Sequence, residues 1–150
     1  MDPISIIVSA VVAGATAALK DTAGQVVRDS YAGLKQLLRD RYRGASVELL
    51  EQDPGSQSRE LVLKEDLQKA DAGKDEELLR RAQAVLDAIE RQPPEQAAAL
   101  GVDLERVKAA NIRAKEIVAA GTGFRARDTE ASGDIDLGIV RAGVDGQKND

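Results

Sequence analysis

Apolar and polar positions follow a helical rhythm over the first two thirds of the chain, and the rhythm is broken in one place by a stretch with no polar face. From Pro3 to Leu19 the sequence reads PISIIVSAVVAGATAAL, with no charge between Asp2 and Lys20. A helix that is apolar all round is either a buried central helix or a membrane element, and this run reaches only the lower end of a membrane span, about 17 residues. Asp2 followed by Pro3 predicts the helix start, since proline is tolerated in the first turn and a carboxylate there suits the helix dipole. A secretory signal would carry basic residues ahead of the apolar stretch, where this chain has Asp2. The residues on which a membrane role would rest are Ile4, Ile6, Ile7, Val8, Val11 and Val12.

Downstream, residues 22–43 place Ala23, Val26, Val27, Tyr31, Leu34, Leu37 and Leu38 near one helical face, and Arg39, Arg41 and Arg43 precede Gly44 as a basic helix end. A short helix is predicted over 46–52, followed by the turn-rich DPGSQS at 53–58. Residues 58–70 form a helix with Leu61, Val62 and Leu67 inward, stopped at Ala72-Gly73. Residues 74–92 form a strongly amphipathic helix with Leu78, Leu79, Ala82, Val85, Leu86 and Ile89 on one side, ended by Pro93 and Pro94. About four helices with short links predict a bundle over 1–92. Residues 93–111 then read as a linker with a short helix.

From Ile112 the pattern changes. IRAKEIVAAG, TG, FRARDTEASG and DIDLGIVRAG form an imperfect repeat whose units close on Gly121, Gly133 and Gly143. Repeats of this size bury an apolar face against a neighbouring copy, so 112–143 is expected to be a β-forming segment, either a β-arch or β-solenoid or an amyloid-type assembly. Its charges balance: Arg113, Lys115, Arg125, Arg127 and Arg141 against Glu116, Asp128, Glu130, Asp134 and Asp136. Neutrality favours stacking, which sets identical strands about 4.8 Å apart. No proline follows Pro94, so nothing in the segment blocks strand pairing. Candidate assembly residues are Ile112, Ala114, Ile117, Phe124, Ala126, Ile135, Leu137, Gly138, Ile139 and Val140. Residues 144–150 read as a tail. The expected fold class is therefore mainly α, a helical bundle with a C-terminal β-forming repeat.

Composition narrows the chemistry. The chain has no His and no Cys, which removes the usual acid/base group near neutral pH, the thiol nucleophile, and thiolate or imidazole zinc sites. There is no Gly-rich phosphate loop, no Ser-x-x-Lys motif and no metal-type carboxylate cluster, and the GTG at 121–123 is too short to cradle a phosphate. The expectation is a non-enzyme without cofactor or metal. A net charge of -5 and no basic cluster with interleaved aromatics argue against a nucleic-acid partner.

Both ends resemble known families. MDPISIIVSAVVAGATAALKDTAGQVVRDSYAGLKQLL is similar to the start of bacterial Bell domains, which are compared with HeLo-like helical death-effector bundles. The C-terminal segment resembles the bacterial amyloid signalling sequences that accompany them. Within it, Ile135-Asp136-Leu137-Gly138 is similar to the core tetrad of RIP homotypic interaction motifs, with Asp136 standing where an amide is usual. The resemblance implies a cytoplasmic cell-death effector. In such a protein an activated nucleotide-binding receptor bearing a similar motif templates the tail into a cross-β fold, and the hydrophobic first helix then acts on the inner membrane. The implied partners are copies of the chain itself, that receptor and the membrane. The alternative is a non-toxic homo-oligomeric scaffold whose repeat is a structural β-solenoid.

Overall fold

The computed structural model describes residues 1–133 except Leu19, Asp21 and Thr22, with side chains up to residue 120. It divides into two compact units, Met1–Glu116 and Ile117–Asp150.

The first unit is built around α1 (Pro3–Ala18). Asp2 caps it, its Oδ1 accepting from the Ser5 N–H at 2.7 Å. That bond holds the Asp2 carboxyl below its usual pKa. Ile6, Ile7, Val8, Ala10, Val11, Ala15 and Ala17 are buried, as the absence of a polar face requires. Around α1 lie α2 (Gln25–Arg41), α3 (Val47–Gln52), α4 (Gln57–Lys69), a 3₁₀ turn (Ala72–Lys74) and α5 (Glu76–Glu90). The centre of the unit is the triangle of α1, α2 and α5, each of which packs on the other two. All six α5 residues read as inward from the sequence are buried. Asp75 caps α5 by accepting from the Leu78 N–H at 3.1 Å.

Two helical faces differ from the expectation. In α4 the inward residues are Leu63 and Leu67, while Leu61 and Val62 are 60% and 38% exposed. Positions four apart share a helical face, and positions five or six apart do not. In α2, Val27 is buried and its neighbour Val26 faces solvent.

The bundle also continues past residue 92. Pro94 opens α6 (Pro94–Ala99), which ends as Gly101 takes a φ of +76°, the left-handed turn that glycine makes without strain. Leu104–Gly133 is α7, with Asp103 Oδ1 accepting from the Arg106 N–H at 3.1 Å. Leu100, Val107, Ala110, Asn111 and Ala114 are buried, so 93–116 packs into the first unit. The expected repeat segment begins on α7, whose described residues run as helix to Gly133. Over 107–114 the spacing suits a helix: Val107, Ala110, Asn111 and Ala114 fall at i, i+3, i+4 and i+7. Within Ile117–Asp150 the described residues, 117–133, are helical. Asp134–Gly143, the third repeat unit, and residues 144–150 lie outside the described residues.

Candidate functional site

The candidate effector element is α1, and its geometry is that of a caged helix. Of the six residues assigned to a membrane role, Ile4, Ile6, Ile7, Val8 and Val11 are buried, and Val12 is half-buried. At 1.5 Å per residue, α1 is about 24 Å long, against a hydrocarbon core of about 30 Å. Among the described residues, no helix is long and apolar enough to cross a membrane.

Helix α2 sets one wall of the cage at Gly14. A Cβ there would sit 2.4 Å from Tyr31 Cδ1, so the ring of this buried tyrosine rests directly on the α1 backbone. The Tyr31 hydroxyl donates to Glu51 Oε2 at 2.6 Å, and Lys35 Nζ donates to Glu51 Oε1 at 2.7 Å, which ties the wall to α3. Burial, then the bond to Glu51 and its charge, push the Tyr31 hydroxyl well above the ordinary phenol range. At the far end of α2, Arg41 bridges Asp75 and Glu77 at 3.0 and 2.6 Å, and the Tyr42 hydroxyl donates to Asp75 Oδ2 at 2.7 Å. Partial burial opposes ionisation of Asp75, but the bonds from Tyr42, the Leu78 N–H and Arg41 prevail and its pKa is lowered. Burial, with the bond to Asp75, pushes Tyr42 up to about 12.

The opposite edge of α1 is open. Val12 lines a pocket of about 380 Å³ with Pro54, Glu60, Leu61 and Arg106. An adjoining pocket of about 170 Å³ touches Ser9, Ala13, Thr16 and Val107. Arg106 spans this edge: its Nε donates to Ser9 Oγ at 3.0 Å, and its Nη1 and Nη2 donate to the two Glu60 oxygens at 3.0 and 2.8 Å. One side chain of α7 thereby bonds to both α1 and α4. A second tie runs from Arg113 Nε to the Met1 carbonyl oxygen at 3.2 Å. Against α5, Asn111 Nδ2 donates to Glu90, and its Oδ1 is buried with no hydrogen-bond partner among the described residues.

The candidate assembly residues that are described, Ile112, Ala114, Ile117, Phe124 and Ala126, lie on α7. Ile112 is 55% exposed, Ala114 is buried against the bundle, and Ile117 is half-buried. Ile135, Leu137, Gly138, Ile139 and Val140 lie outside the described residues. Sequence reasoning missed Arg106, Glu60 and the Tyr31–Gly14 contact. The available signals were Ser9 and Gly14, a hydroxyl and a gap in an otherwise aliphatic run. No group of three or more His, Cys, Asp or Glu residues that could hold a metal occurs among the described residues.

The first unit is thus an uncharged helix enclosed by polar-faced ones, with its N-terminus held by the last helix of the bundle, an arrangement consistent with the HeLo-like, cell-death-associated helical domains to which the family match below assigns the chain. The Het-E N-terminal domain family matches residues 1–137, and the chain belongs to that family. The match takes in the bundle and most of the repeat segment, more than the opening 38 residues on which the N-terminal resemblance rested. Domains of this family work in signalling by NLR-type receptors. No curated protein matches, and no solved structure matches.

Proposed function

We propose that the chain is a cell-death effector whose repeat segment, 112–143, assembles as cross-β on a template offered by a nucleotide-binding receptor, and whose α1 then acts on the inner membrane. The observation that carries this reading is α1 itself, a charge-free helix enclosed by polar-faced neighbours. Family membership and NLR-type signalling support it. The bacterial, antiphage setting follows from the resemblance of residues 1–38 to Bell domains. The resting protein would be cytoplasmic. Since α1 is about 6 Å short of the hydrocarbon core, several copies acting together, or a locally thinned bilayer, are required. Cross-β stacking supplies the copies by raising local concentration.

Burial of α1 favours the scaffold reading as well, because a permanent core helix would look the same. A charge in the middle of α1 separates the two. Val12 is half-buried at the open edge, where a lysine can reach solvent while the helix is caged, but a lysine at a bilayer centre costs about 2.5–3.5 kcal/mol. Val12→Lys should therefore keep the wild-type circular dichroism yet lose killing and dye uptake when expressed in bacteria. Asp134→Lys with Asp136→Lys, which places like charges on adjacent rungs, should lose thioflavin-positive fibres and killing together. A folded Val12→Lys protein that permeabilises cells as the wild type does would sink the membrane role and leave the scaffold.

A further inference from the structure

The helices around α1 are held in two different ways. Large aliphatic side chains hold α5, with Leu78, Leu79, Val85, Leu86 and Ile89 all buried. In α7 the buried face is Val107, Ala110, Asn111 and Ala114, and its longer attachments are polar: Arg106 to Ser9 and Glu60, Arg113 to the Met1 carbonyl, Asn111 to Glu90, and Lys115 to Asp87 at 3.7 Å. Small side chains bury little apolar area, so α7 is seated mainly by directional bonds. Such bonds are lost abruptly when geometry shifts by an ångström or so. Arg106 is placed to convert that loss into a change at α1, because it sits at an edge of α1 flanked by pockets and bonds Ser9 inside the charge-free run.

We propose that Arg106 is a clasp: its three-way bond to Ser9 and Glu60 makes the accessibility of α1 depend on whether the first turns of α7 are seated. Arg106 is a positioning residue that acts through Ser9. The two parallel bonds to Glu60 fix the guanidinium plane, leaving Nε aimed at the Ser9 hydroxyl. Both partners of the ion pair are about 30% exposed at the side chain, so the pair is less screened than a fully exposed one. If the start of α7 moves or unwinds, the fork leaves Glu60 and Ser9 together, and the Ser9–Thr16 edge of α1 opens along the existing groove. Opening therefore begins at the middle of α1 and needs no loosening of α2 or α5. The inference rests on the membrane reading for its biological meaning, but its test does not involve lipid.

The absence of cysteine makes thiol labelling of the full-length protein a clean test. Ala13→Cys reports the open edge of α1, and Ala82→Cys reports the α5 core; both positions are buried. Arg106→Gln removes the charge and the fork, and losing charge-assisted bonds of this kind should raise the labelling rate of the Ala13→Cys thiol about ten- to a hundred-fold. The Ala82→Cys rate should be unchanged. Glu60→Gln should act in the same direction, and the double variant Arg106→Gln/Glu60→Gln should exceed neither single one. Equal acceleration at both thiols means general loosening of the bundle, and no acceleration means no clasp; either overturns the proposal. Because Val12→Lys is read by killing and Arg106→Gln by labelling, failure of the clasp and failure of the membrane reading are distinct results.

Discussion

The contact between Gly14 and Tyr31 makes the sharpest test of how α1 is held. Replacing glycine by alanine inside a helix ordinarily stabilises by about 0.8–1 kcal/mol, because the backbone loses less freedom. Here the added Cβ would meet Tyr31 Cδ1 at 2.4 Å, with Cγ and Cε1 both at 3.1 Å. The ring cannot simply swing away. It is buried, and its hydroxyl is bonded to Glu51 at 2.6 Å. Relief requires α1 and α2 to separate or the hydroxyl to give up its partner. Overpacking of this kind costs about 1–3 kcal/mol, and leaving a partner unsatisfied adds about 1–3 kcal/mol. Steric loss therefore exceeds the propensity gain, and Gly14→Ala should destabilise by about 1–5 kcal/mol, a fall in Tm of roughly 2–20 °C. Urea titration followed by circular dichroism, with the slope unchanged, reads the effect. Tyr31→Val clears the space, so in that background Gly14→Ala should become neutral or stabilising. A Gly14→Ala protein that melts higher than the wild type with Tyr31 intact would refute the reasoning.

Other expectations follow from the same packing. Asp75→Asn keeps a good N-cap but removes the charge that Arg41 and Tyr42 stabilise. The Asp75 pKa is lowered from 3.8 in the folded state, so its contribution is present above the unfolded value and disappears as pH falls through the folded one. Asp75→Asn should thus be less stable than the wild type near neutral pH, and acid titration of Tm should show the gap closing below about pH 4. Leu63→Ala in α4 should cost about 2–5 kcal/mol, whereas Leu61→Ser, at an exposed position, should stay within about 0.5 kcal/mol. Comparable losses in denaturant melts would reverse the assignment of the α4 faces.

How much could be read in the chain depends on the element. Helix α5 was legible residue by residue, because its inward positions repeat at three and four with charge between them. In α4 the run Leu61-Val62-Leu63 offers three apolar neighbours, and periodicity cannot choose among them without knowing where α1 lies. The start of α7 was only partly legible, for a related reason. Its buried face is alanine, valine and asparagine, residues too small and too mixed to stand out against a glycine-punctuated repeat. The Arg106 contact was invisible, since 97 residues separate it from Ser9.

By itself, the order of residues determined that a charge-free first helix must be hidden, that amphipathic helices would hide it, and that no imidazole or thiol chemistry is available, because each follows from side-chain type and local spacing alone. Only the tertiary structure decided which face of each helix turns inward, that Tyr31 lies on Gly14, and that Arg106 reaches both Ser9 and Glu60. Those are contacts between residues distant along the chain, and their energies depend on distances of a few ångströms that local pattern does not encode.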